Sequence, residues 1–120
     1  MLSRPEFPIG VFDSGIGGLT VARALMQHLP NERILYFGDT ARVPYGVKSA
    51  DTIAQYAIQI ADFLLERQVK LLILACNTMA AVAASAIRAR APVPVLDVIE
   101  VGAQVAAHST RNRHVGVIGT

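Results

Sequence analysis

Sulfur is scarce in this chain, which has one cysteine, Cys76, and three methionines among 120 residues. A lone cysteine excludes an internal disulfide, and such usage is expected of a protein in a reducing, cytoplasmic setting. Long hydrophobic runs are lacking as well. LLILAC (71–76), among the longest, is far shorter than the roughly 20 apolar residues a membrane-crossing helix needs. The opening MLSRPEFPIG holds prolines and a charge pair, which is not the make-up of a secretory signal. No membrane is expected as a partner.

An excess of one charge is missing too, with 11 Lys and Arg against 9 Asp and Glu, a net charge of +2. Basic residues cluster only at Arg88/Arg90 and Arg111/Arg113. These read as a solvated helix end and a solvated turn, so no nucleic acid is expected as a partner. His28, His108 and His114 have no spacing that would form a metal site with Cys76, and no metal is expected. No repeat and no low-complexity segment is visible.

What is present is apolar and regular. Hydrophobic residues make up 52% of the chain and the mean hydropathy is +0.42, which argues against disorder. Strand-like and helix-like segments alternate. IGVFD (9–13) precedes GGLTVARALMQHL, where Leu19, Ala22, Leu25, Met26 and Leu29 recur at helical spacing. RILYFGD (33–39) is a second strand, followed by the loop TARVPYGVK and a long helix capped by Ser49. KLLILA (70–75) is a third strand, apolar enough to lie centrally in a parallel sheet. A helix from Asn77, a strand VPVLDV, a helix over IEVGAQVAAHS and a fifth strand, HVGVIG (114–119), complete the order. This β-α alternation predicts an α/β fold, a parallel sheet with helices on both faces. The chain ends at Thr120 just after a predicted strand, so it is expected to be an incomplete fragment.

In such a sheet, ligands bind beyond the carboxyl ends of the strands. Three segments share that address: FDSGIGGLT, GDTARVPYG and ACNTMAA. In the first, Gly15, Gly17 and Gly18 permit a tight turn before a helix N-terminus, which suits a small anion such as a carboxylate. The spacing matches neither a Walker loop nor a dinucleotide fingerprint. Asp13 either orients an ammonium group, assists a proton transfer or merely caps the turn. In the second, Pro44 and Gly46 bracket Tyr45 in a turn that can offer backbone donors, while Asp39 and Arg42 are expected to pair locally. In the third, Cys76 precedes Asn77 and Thr78. A free thiol is only a few per cent ionised at neutral pH. If Asn77 or Thr78 opens a helix, its N-terminal field favours the thiolate by about 0.3–1 kcal/mol, up to about 2 when partly buried. Cys76 is therefore either a reactive thiol or a small buried hydrophobe.

Together, IGVFDSGIGGLTV (9–21), YFGDTARVPYG (36–46) and LACNTMAA (74–81) resemble the amino-terminal half of the glutamate racemases, in the aspartate/glutamate racemase superfamily. PVLDVIE and HVGVIGT are also similar. The resemblance implies a flavodoxin-like lobe of a two-lobe, pseudo-symmetric enzyme that needs no cofactor. It implies interconversion of L- and D-glutamate for peptidoglycan by two thiols on opposite faces of the substrate, with a homodimer possible for the full-length protein. Cys76 would be one thiol and Asp13 would help it shed its proton. Asp13, Ser14, Pro44, Tyr45, Gly46, Asn77 and Thr78 would hold the substrate. Residues 1–97 would form the first lobe, and 98–120 a crossover helix and the first strand of a second. The family's second cysteine lies in a Cys-Thr-His motif that this chain lacks, so the chain alone is expected to be inactive. The rival readings are a non-catalytic small-anion or amino-acid binding module with a structural Cys76, and a thiol hydrolase lacking a placeable histidine.

Overall fold

A computed structural model describes residues 4–119. Four strands, β1 (Ile9–Asp13), β2 (Ile34–Gly38), β3 (Leu71–Leu74) and β4 (Val95–Asp97), form one sheet in the order β2-β1-β3-β4. All pairings are parallel, with Val11 opposite both Tyr36 and Ile73, and Leu74 opposite Asp97. The helices are α1 (Leu19–His28), α2 (Ala50–Glu66), α3 (Asn77–Arg90) and α4 (Val98–Ser109). The α/β expectation holds, and element bounds lie within a few residues of those read from the sequence.

Strand alternation explains why both faces are covered. Ile9, Val11 and Ile73 point to one face and pack with Val21 and Leu25 of α1. Phe12, Leu72 and Leu74 point to the other, into a larger core with Ile60 and Leu64 of α2 and Met79 and Ile87 of α3. α2 buries Ile53, Ala57, Ile60, Ala61 and Leu64, a stripe at helical spacing. Its N-cap is Ser49, whose hydroxyl accepts the Thr52 amide at 3.2 Å, as expected. α3 turns small residues inward, among them Ala80, Ala83 and Ala84.

The carboxyl end of the chain departs from expectation. HVGVIG forms no strand, and Val117 and Ile118 are almost fully exposed. An apolar run makes a strand only when it finds a partner edge, and among the described residues none of the four strands pairs with it. α4 is a helix as expected, but it buries no residue of its own.

Arg88 and Arg90 lie at an exposed helix end, as expected, and there they form ion pairs. Arg88 bonds Asp97 and Glu100, and Arg90 lies 2.8 Å from Asp62.

Candidate active site

All four strands run the same way, so their carboxyl ends share one edge, where the polar groups collect. Asp13 closes β1, Asp39 follows β2, Cys76 follows β3 and Asp97 closes β4. The three carboxylates are each only 5% exposed. A buried carboxylate needs donors, and each has them. Asp13 Oδ2 accepts the Gly18 amide at 2.7 Å. Asp39 Oδ2 accepts Arg42 Nε at 2.6 Å and the Tyr45 hydroxyl. Asp97 accepts the Glu100 amide at 2.8 Å and Arg88. The local Asp39–Arg42 pair expected from the sequence is therefore present.

Cys76 is the N-cap of α3. Its sulfur accepts the Met79 amide at 3.5 Å and lies 3.4 Å from Ser14 Oγ. Asn77 is the first helical residue, so the sulfur stands at the positive end of a helix of 14 residues. Cys76 is 8% exposed, a narrow opening rather than a free surface thiol. A cleft of about 480 Å³ runs along this edge, lined by Asp13, Gly17, Thr20, Cys76, Asn77 and Thr78 among others.

The glycines before α1 serve close approach more than unusual dihedrals. No glycine among the described residues has a positive φ. At Gly18 an added Cβ would stand 2.7 Å from the Asp13 Cβ, so the helix start rests directly on the Asp13 side chain. At Gly38 an added Cβ would meet the Gly15 carbonyl oxygen at 2.2 Å. The loops after β1 and β2 are thereby locked together, reinforced by the Asp39 amide donating to the Asp13 carbonyl at 3.0 Å.

Of the residues singled out from sequence, Asp13, Cys76, Asn77 and Thr78 share the cleft, and Ser14 touches the sulfur. Pro44, Tyr45 and Gly46 stand apart from that lining. Pro44 and Gly46 are exposed, and Tyr45 is buried with its hydroxyl turned to Asp39. Burial, then the bond to Asp39 and its charge, push the Tyr45 phenol far above its ordinary pKa, so it remains a donor.

Sequence reading missed Tyr36, which donates to the Gly15 carbonyl at 3.0 Å. Its phenol is likewise raised by burial, then by the charge of the nearby Asp13, with Cys76 adding to the effect. The available signal was its position near the carboxyl end of β2, two residues before Gly38. The three histidines are exposed, and among the described residues no group of His, Cys, Asp and Glu could hold a metal.

The description of the Asp/Glu/hydantoin racemase family matches residues 19–120. The chain belongs to that family. A glutamate racemase of Syntrophus aciditrophicus is 69% identical over 119 residues, which is 98% of this chain and 44% of that protein. One from Neisseria meningitidis is 61% identical over 114 residues, 94% of this chain and 42% of that protein. This racemase-family chain thus spans less than half the length of these curated relatives. Among solved structures, glutamate racemase from Aquifex pyrophilus superposes with a TM-score of 0.91 at 46% identity, over 95% of this chain and 45% of that one. The Francisella tularensis enzyme, crystallised in complex with D-glutamate, gives 0.80 at 52% identity, over 84% and 39%. No helix among the described residues is long and apolar enough to cross a membrane.

Proposed function

We propose that this chain is the amino-terminal half of a cytoplasmic, cofactor-independent glutamate racemase that supplies D-glutamate for peptidoglycan. The observation that carries the reading is the Cys76 sulfur, capping α3 in the same cleft as Asp13, Asn77 and Thr78 and 3.4 Å from Ser14 Oγ. The relatives' names supply the substrate. Residues 1–97 form the first lobe and 98–120 open the second, with a homodimer as the assembled enzyme.

Inverting an α-carbon takes a base on one face and an acid on the other, and reversibility requires the two to exchange roles. In this reading the Cys76 thiolate takes the α-proton, forming an S–H bond as the C–H bond breaks. A second thiol, outside this chain, gives its proton to the opposite face. In the reverse direction Cys76 is the acid. Negative charge grows at the substrate carboxylate in between, so fixed donors are needed there. The free end of α3, with Asn77 and Thr78, and the amides before α1 supply them, together with Ser14. Asp13 takes the ammonium group or receives the Cys76 proton. Pro44, Tyr45 and Gly46 contribute as a loop. Because Tyr45 spends its hydroxyl on Asp39, its part in holding glutamate is played by backbone.

The near-burial of Cys76 favours one rival, a non-catalytic anion-binding module with a structural thiol. Alkylation decides between them, since this chain has one thiol to label. Labelling of Cys76 that glutamate suppresses supports the racemase, and an inert thiol supports the module. In the full-length protein, Cys76→Ala should abolish racemisation in both directions, followed by polarimetry. Retained turnover would refute the assignment.

A further inference from the structure

The loop between β2 and α2 contains only two short 3-10 turns, Thr40–Arg42 and Tyr45–Val47, and offers little regular backbone bonding. It is nonetheless fastened at its base by side chains. The Asp39 carboxylate, 5% exposed, takes both Arg42 Nε and the Tyr45 hydroxyl on the same oxygen. Arg42 continues outward, donating to Gln59 Oε1 at 2.7 Å and lying 3.7 Å over the Tyr56 ring. The Tyr45 ring packs 5.7 Å from Tyr56 and belongs to the same buried cluster as Cys76 and Phe12. One carboxylate therefore ties the start of the loop to its middle and, through Arg42 and Tyr45, to α2 and to the core that includes Cys76. Through its amide on the Asp13 carbonyl, Asp39 also ties the loop to the strand that carries Asp13.

We infer that Asp39 is a positioning residue of the site, setting the distance of the Pro44–Gly46 backbone from the Asp13 and Cys76 cleft through Arg42 and Tyr45. This rests on the racemase reading, in which that backbone faces glutamate. Asp39 does not line the cleft and takes no part in proton transfer. Its Oδ2 takes two strong donors from different parts of the loop, which is the arrangement of a clip. The Tyr45 phenol it holds is pushed far above its ordinary pKa by burial and by the bond to Asp39, so the hydroxyl stays a donor.

The test uses Asp39→Asn and Tyr45→Phe in the full-length protein, the first removing the acceptor's charge and the second the donor, each at almost constant volume. Amide hydrogen exchange is read at Arg42 and Lys48, whose amides bond the Asp39 and Tyr45 carbonyls. Loss of a charge-assisted bond predicts exchange on the order of tenfold faster there in both variants, with α3 unaffected. In the racemisation assay, KM for both enantiomers should rise on the order of tenfold while kcat changes much less. The double variant should be little worse than Asp39→Asn alone, since that change already weakens the link that Tyr45→Phe removes. Unchanged exchange at Arg42 and Lys48 overturns the clip. Faster exchange with KM unmoved and only the Tm lowered overturns the positioning role. A fall in kcat at constant KM does so too, since it would place Asp39 in the chemistry. Should the unmodified protein fail to racemise glutamate, the racemase reading falls and the positioning role with it, while the exchange result still decides whether the clip exists.

Discussion

Gly18 and Ser14 show how tightly single residues are constrained around the sulfur. The start of α1 lies on Asp13, and its first free amide reaches the carboxylate at 2.7 Å because Gly18 has no side chain. Ala75 closes the other side, 3.0 Å from where a Cβ would stand. Gly18→Ala is therefore expected to push α1 off Asp13 and cost about 1–3 kcal/mol, as overpacking does. Urea unfolding measures this, and an unchanged midpoint would show that the helix start can yield. Ser14 makes a different contribution. As the one hydroxyl bonded to Cys76 Sγ among the described residues, it can donate to the sulfur once the thiol ionises. Ser14→Ala should slow alkylation of Cys76 at neutral pH by up to about tenfold, the scale of one hydrogen bond to a charged group. Ser14→Thr, which keeps the hydroxyl, should restore most of the rate. Equal rates in all three proteins would remove Ser14 from the thiol's environment.

Among the elements, the joint between α3, β4 and α4 is held by charge rather than by packing. Burial raises the Asp97 pKa, but the Glu100 amide and Arg88 outweigh it and hold the carboxyl below its usual value. A depressed folded-state pKa means that the stabilisation is present above the unfolded value, near 4, and is lost as pH falls through the folded one. Arg88→Met leaves a buried carboxylate short of a donor and should destabilise the protein by about 1–3 kcal/mol at neutral pH. The difference should shrink as pH falls from about 4 through the lower folded-state value, below which Asp97 is protonated in either state. A pH-independent difference in thermal unfolding would mean that Arg88 acts by packing alone. The sequence made most elements legible because each has a local signature. IGVFD and LLIL are apolar runs of strand length, and α2 carries its stripe and its Ser49 cap. HVGVIG has the same local signature and is not a strand, because pairing is a long-range fact that no six residues contain. The site divides in the same way. Asp13, Cys76, Asn77 and Thr78 were readable because strand ends converge on one edge. The Tyr45 hydroxyl turning inward to Asp39, and Tyr36 reaching Gly15 across 21 positions, depend on packing between loops that spacing does not encode.

For the molecule as a whole, the uneven cover of the sheet decides how this chain behaves alone. α2 and α3 seal one face, but on the other α1 stands beside an open groove of about 340 Å³. That groove is lined by Val21, Ala24, Ile73, Leu96, Val98 and Val101, with Thr20 and Asp97 contributing little of its surface. α4 extends the surface with Ile99, Val101 and Val105, each more than 40% exposed, and Val117 and Ile118 follow. Contiguous apolar surface on this scale belongs to interfaces, and in isolation it drives association. On the proposed racemase reading, catalysis is affected too, because Cys76 is the sole thiol of this chain and the opposite face of a bound substrate would meet no second one. Two outcomes are expected of the purified 120-residue chain. It should show no racemisation once host enzyme is excluded, even with Cys76 alkylatable. It should also associate with rising concentration in sedimentation velocity, and Val101→Lys with Val105→Lys should reduce that association without lowering the unfolding midpoint. Robust turnover would show that one thiol suffices and end the two-lobe mechanism. A chain that remains monomeric at high concentration would show that the α1–α4 face is stable in water as it stands.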